Sequence, residues 1–96
     1  MATPTKLSEK EIQEALSGME DWSYEDEKLH LALEFPTFAE AFGFMCSVAL
    51  LAERLNHHPE WFNVYNKVEI DLCTHEVDGI SALDFQLAEA ISDLIG

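Results

Sequence analysis

Lys28-Leu29-His30-Leu31-Ala32-Leu33-Glu34-Phe35-Pro36-Thr37-Phe38-Ala39-Glu40 changes its hydrophobic period partway along. Up to Phe35 the large apolar residues occupy every second position, with Lys28, His30, Ala32 and Glu34 between them. That alternation is the mark of a strand with one buried face. Beyond Pro36 the spacing becomes helical, and Thr37 with Glu40 three residues later has the form of a capping box. The pattern predicts a helix from Thr37 to about Asn56. Upstream, Trp22-Ser23-Tyr24 alternates and Glu25-Asp26-Glu27 is polar, so this strand is expected to be the second arm of a hairpin. His30 falls on its wet side, alone, and reads as a surface histidine.

The same signals extend to both ends. Ser8 and Glu11 form a capping box, with Leu7 and Ile12 as a staple, ahead of a short helix that buries Ile12, Ala15 and Leu16 and stops at Gly18. Pro59 ends the long helix, because the residue before a proline is biased away from helical geometry. Trp61 to Val64 reads as a third strand, with a turn near Tyr65-Asn66-Lys67. Val68, Ile70, Leu72 and Thr74 then alternate with Lys67, Glu69, Asp71, Cys73 and His75 as a fourth strand. Parity places His75 opposite the core aliphatics. A last helix starts at Ser81, again with a capping box to Asp84 and a staple from Ile80 to Phe85, and buries Leu83, Leu87, Ala90, Ile91 and Leu94. The expected fold is α+β: αββαββα, a four-stranded antiparallel sheet with three helices packed on one face.

The chain has 96 residues, of which 48% are hydrophobic, and is expected to form one domain over residues 1–96. With 19 acidic residues against 5 basic ones, its net charge is -14. Such a surface repels phosphate backbones and anionic lipid, so no direct nucleic-acid binding and no membrane docking are expected. A small neutral molecule or a protein remains as a partner. No apolar run is long enough to span a bilayer, and Met1 to Lys6 has no apolar segment of the secretory kind. A cytoplasmic location is expected, with Cys46 and Cys73 as free thiols.

Apolar residues on the helix from Thr37 to Asn56 cover an arc of roughly 260° in helical projection. One sheet cannot bury so wide an arc. A second copy of the same helix, or a partner's helix in the same groove, would cover the remainder, so an oligomer is expected. Glu53 interrupts that arc one turn before His57, either emerging at an oligomer rim or orienting an imidazole or polar ligand.

His57, His58 and His75 are three of only four histidines and lie within a short stretch. A metal site is one reading. Cys73 and His75 would point the same way on a strand, with His57 or His58 as third ligand. Against it, adjacent histidines rarely reach one ion, and neither Cys-x-x-Cys nor His-Glu-x-x-His occurs. A second reading is structural, with imidazoles capping a helix end. The third is general acid–base catalysis without a metal, since imidazole titrates near neutrality. The residues favour the third without naming a substrate.

Glu53-Arg54-Leu55-Asn56-His57-His58-Pro59, followed by Tyr65, His75 and Asp84, resembles the signature of the pterin-4a-carbinolamine dehydratases. The likeness extends through Phe38–Met45, Val48–Leu50, Pro59–Val68 and Thr74-His75, and covers most of the chain from Trp22 onward. The sequence departs from the animal form that is also a transcription cofactor at Asn56, where that form has an acid, and at Cys73, where it has a serine. The resemblance implies the αββαββα fold, dimers joined through their sheets, and tetramers paired through the second helix. It also implies dehydration of a 4a-hydroxytetrahydropterin with no cofactor and no metal. His57, His58 and His75 would be the catalytic residues. Glu53, Asp84, Trp61, Thr74 and Cys73 would bind substrate, with Glu53 and Asp84 bonding the pterin edge or setting imidazole tautomers. In animals a member of this family also stabilises the dimer of a homeodomain transcription factor, so a binding module acting through the second helix is the alternative.

Overall fold

The computed structural model describes residues 4–96. Its elements are α1 (Glu9–Leu16), β1 (Ser23–Glu25), β2 (Lys28–Glu34), α2 (Phe38–Leu55), β3 (Glu60–Val64), β4 (Lys67–Leu72), a 3-10 turn (His75–Val77) and α3 (Ala82–Ile95). This is the αββαββα order expected from periodicity. The four strands form one antiparallel sheet in the order β1-β2-β4-β3.

Two tight hairpins build the sheet. Glu25 pairs with Lys28, so Asp26 and Glu27 alone make the first turn, both in the left-handed region (φ 52° and 62°). That backbone matches the right-handed twist of the flanking strands. Val64 pairs with Lys67 across the second turn, where Tyr65 is also left-handed (φ 52°). α2 carries the chain from β2 over the sheet to β3, leaving β3 at one edge.

Period-two alternation separates the faces. Leu29, Leu31, Val68, Ile70 and Leu72 are buried on one side, together with Ile12 from α1, Ala41 and Val48 from α2, and Phe85, Leu87, Ala88 and Ile91 from α3. All three helices therefore share one core with one face of the sheet. The other face pairs His30 with Asp71, Ala32 with Glu69 and Glu34 with Lys67. Trp22 closes the core at α3, its indole Nε1–H donating to Ser92 Oγ at 2.9 Å.

The caps at Ser8 and Ser81 form complete capping boxes. At Thr37 only half forms: its hydroxyl accepts from the Glu40 N–H at 3.1 Å. Several expectations need correction. Ala15 is exposed, because one turn of contact with the core needs only Ile12 and Leu16. Leu94 is exposed near the end of α3. His30 is not alone: its Nδ1 lies 2.8 Å from Asp71 Oδ1 on the neighbouring strand. β4 stops at Leu72, so His75 is not on a strand. A bridge between Thr74 and Gly79 closes a short loop, and His75 opens the 3-10 turn inside it. Parity cannot continue through a backbone that turns.

Candidate active site

The end of α2 sets the position of the first two imidazoles. Asn56 adopts the left-handed conformation (φ 51°, ψ 43°), and the next N–H, that of His57, returns to Ala52 O at 3.0 Å. This closure of a helix C-terminus is usually made with glycine, and asparagine is the residue that best replaces it. The chain thus reverses sharply enough to aim His57 inward, while Pro59 keeps His58 extended.

His57 is buried, and its Nε2 lies 2.6 Å from Asp84 Oδ1. Asp84 is wholly buried at the first turn of α3. Its second oxygen accepts from the Thr74 hydroxyl at 2.7 Å and from the Ser81 backbone N–H at 2.9 Å. Thr74 Oγ1 is also 2.7 Å from Ser81 Oγ, which accepts from the Leu83 N–H at 3.2 Å. Every polar group here is satisfied if Ser81 donates to Thr74, Thr74 to Asp84, and His57 Nε2–H to Asp84. Asp84 then accepts only, which suits an ionised carboxylate. The tautomer assigned by this network leaves His57 Nδ1 with its lone pair free.

His58 and His75 differ from His57 in exposure. His58 Nε2 is 2.6 Å from Glu53 Oε2, with both side chains more than half exposed. Glu53 thus reaches an imidazole from the solvent side of α2. His75 is 80% exposed, and its Nε2 stands 3.6 Å from Glu60 Oε2. His57, His58 and His75 line one cleft of about 190 Å³ with Asn56, Cys73, Glu76 and Leu83. A larger depression of about 660 Å³ near the ends of α1 and α3 is lined by Glu20, Asp21, Glu89 and Asp93 and has no imidazole among its lining residues.

The remaining candidates divide. Cys73 lines the cleft, and burial pushes its thiol above the ordinary range, with the Glu60 carboxylate adding to the effect. Thr74 and Asp84 are buried behind His57: Asp84 meets the imidazole, which is the tautomer-setting alternative of its expected role, and Thr74 borders the adjoining cavity of about 170 Å³. Trp61 is on β3 opposite Ile70 and does not line the cleft. Glu60, Glu76 and Leu83 were not legible as neighbours of the imidazoles. Glu60 reaches His75 only because β3 pairs with β4, and no local pattern reports that register.

Residues 5–94 match the family model described as pterin 4 alpha carbinolamine dehydratase. The chain belongs to this family. A relative from Solibacter usitatus named for pterin-4-alpha-carbinolamine dehydratase is 56% identical over 94% of this chain and 95% of its own length. One from Christiangramia forsetii, with the same name, is 46% identical over 94% and 93%. The crystal structure of a transcriptional coactivator/pterin dehydratase from Brucella melitensis superposes with a TM-score of 0.92 at 41% identity, covering 96% of this chain and all of that one. Family membership accounts for the agreement between the sequence signature and the fold.

Proposed function

We propose that this chain dehydrates a 4a-hydroxytetrahydropterin to the quinonoid dihydropterin, with His57, His58 and His75 moving the protons. Family membership supports dehydratase activity. The observation that carries the residue assignment is the buried His57–Asp84 pair on the wall of a cleft shared with two exposed imidazoles. At about 190 Å³ the cleft is smaller than the roughly 300–1,000 Å³ of typical enclosing small-molecule sites. It suits one edge of a flat ring system, with the rest of the ligand outside.

The reaction needs two proton transfers and no change of redox state. A neutral imidazole takes the proton from N5, the N5 electrons form the C4a=N5 double bond, and the C4a–O bond breaks. An imidazolium protonates the departing hydroxyl, which leaves as water. His57 and His75 are assigned as this pair, in either order, and His58 as a second proton-transfer or positioning group. Three imidazoles around one cleft can serve both epimers at C4a. Asp84 acts through His57, fixing its tautomer and ring orientation. Holding both proton carriers beside one ring also lowers the entropic barrier. In this reading the protonation steps use imidazoles alone, without a metal or an organic cofactor.

Assembly belongs to the same proposal. Phe38, Phe42 and Leu50 on α2, and Phe62, Val64 and Tyr65 at the edge strand β3, are exposed. Pairing through β3 and through α2 would bury them in a homodimer or homotetramer. The α2 face would also accept an apolar helix of another protein, which is the form a coactivator role would take.

The test is turnover of a synthetic carbinolamine. Because His57 satisfies a buried carboxylate, His57→Gln is the suitable variant, its amide still able to donate to Asp84, combined with His75→Ala at an exposed site. The double variant should keep its far-ultraviolet circular dichroism and lose at least about 10²-fold in kcat. Turnover near that of the unaltered protein would reject the assignment. A wild-type chain with no turnover would reject the dehydratase reading itself.

A further inference from the structure

Beside the imidazole cleft, three potential ligands of different chemical type come together from β3 and from the stretch that follows β4. One donor atom each from Glu60, Cys73 and His75 lies within 4.8 Å of the other two. We propose that these residues form a binding site for a thiophilic divalent transition-metal cation of the zinc class, adjoining the proton-transfer machinery and sharing His75 with it.

The donor set argues for that class of ion. Thiolate, imidazole and carboxylate are the ligands zinc takes, whereas calcium and magnesium require oxygen donors. Bonds of about 2.0–2.3 Å on a tetrahedral ion put its ligand atoms roughly 3.3–3.7 Å apart. Glu60 Oε2 and His75 Nε2 already stand at 3.6 Å, too long for a hydrogen bond between them. Closing the set therefore needs a movement of about 1 Å, within the reach of one side-chain rotation, by groups free to make it. His75 is 80% exposed, so its ring can turn without disturbing the core.

Glu60 is held ready for this role. Lys28 Nζ donates to its Oε1, which orients the carboxylate and leaves Oε2 toward His75. The Lys28 charge opposes a cation, and carboxylates around the site offset it. Asp26, Glu27 and Asp78 line the adjoining cavity of about 170 Å³, whose walls also include Lys28, Cys73 and His75. The nitrogens of His57 and His58 are not among the donor atoms that converge here. On binding, the Cys73 proton leaves to solvent, three protein donors hold the ion, and water completes the tetrahedron. An ion there occupies the His75 lone pair that the proposed reaction uses, so it inhibits turnover. Only that consequence rests on the dehydratase reading; the binding does not.

Cobalt(II) titration of the full chain tests the site, because a thiolate ligand produces a near-ultraviolet charge-transfer band. One equivalent should bind with that band, and zinc should displace it. Cys46 is the other free thiol and is exposed, so Cys46→Ser serves as the control. The band should survive in Cys46→Ser and vanish in Cys73→Ser. Affinity should fall about tenfold or more in Glu60→Gln and in His75→Ala, since even outer-shell changes at metal sites cost that much. His75→Ala is an exposed substitution that keeps the test decisive if Cys73→Ser fails to fold. Cobalt binding without the band, a band that depends on Cys46, or unchanged affinity in both Glu60→Gln and His75→Ala would overturn the proposal. Zinc should also lower dehydratase turnover at matching concentrations. Binding without inhibition would leave the site standing and count against His75 as a proton carrier.

Discussion

Asp84 Oδ1 lies 2.6 Å from His57 Nε2, while Asp84 Oδ2 completes the capping box of α3 at the Ser81 N–H. One buried carboxylate therefore holds the start of a helix and the orientation of an imidazole from another helix end. The two tasks can be separated by substitution. Asp84→Asn retains an oxygen for the cap but turns an amide donor toward the His57 N–H, which forces the ring into its other tautomer. A fall in kcat of about 10²–10⁴-fold is expected, with KM little changed. Asp84→Ala removes its half of the capping box and leaves the buried donors of His57, Thr74 and Ser81 unpaired, at about 1–3 kcal/mol. Denaturant unfolding of the two variants reads that difference.

Asn56 places His57 through its left-handed backbone. Asn56→Gly should be nearly neutral in stability. Asn56→Val should cost about 1–2 kcal/mol, since a β-branched residue resists that conformation. The valine variant should also lose activity beyond what its stability explains, because the chain reversal aims the ring. Thermal unfolding alongside turnover at a temperature where both variants are folded checks this.

His30 gives a pH dependence that is independent of the site. Its hydrogen bond to Asp71 holds the imidazole above the ordinary histidine range, against a partial loss of hydration, with Glu25 and Glu69 adding to the effect. A group whose pKa is raised on folding contributes its stability fully below the unfolded value of about 6.5 and loses it as pH climbs through the raised value. Stability should therefore decline on that alkaline side. Solvent screening keeps the contribution to about 1 kcal/mol or less. His30→Gln should flatten this part of the pH–stability curve; an unchanged slope would show that the pair contributes nothing.

Leu50 is 71% exposed on α2, and Phe42 is half exposed on the same helix. If α2 joins copies of the chain, Leu50→Glu and Phe42→Glu should shift the sedimentation profile to smaller species. Each change touches exposed surface, so the stability of the isolated fold should move by only about 0.5 kcal/mol. An unaltered profile in both variants would remove α2 as the assembly surface.

Element identities were readable from residue order because their causes are local. Alternation from Leu29 to Leu33 specifies a face of β2, and Ser8, Thr37 and Ser81 mark helix starts through bonds that span three residues. The histidine cluster was legible in the same way, as a composition anomaly at a helix end. The family signature added roles for those residues, and the fold it implied is the one observed.

Tertiary structure alone decided which groups meet. Asp84 could be read as a cap, but its hold on His57 crosses 27 positions of sequence. His30 finds Asp71 only through the register of β2 on β4, and Glu60 reaches His75 only through the pairing of β3 with β4 followed by the Thr74–Gly79 bridge. Periodicity says which way a side chain faces along its own strand or helix. It carries no record of which distant residue will face it, because that is set by packing the core as a whole.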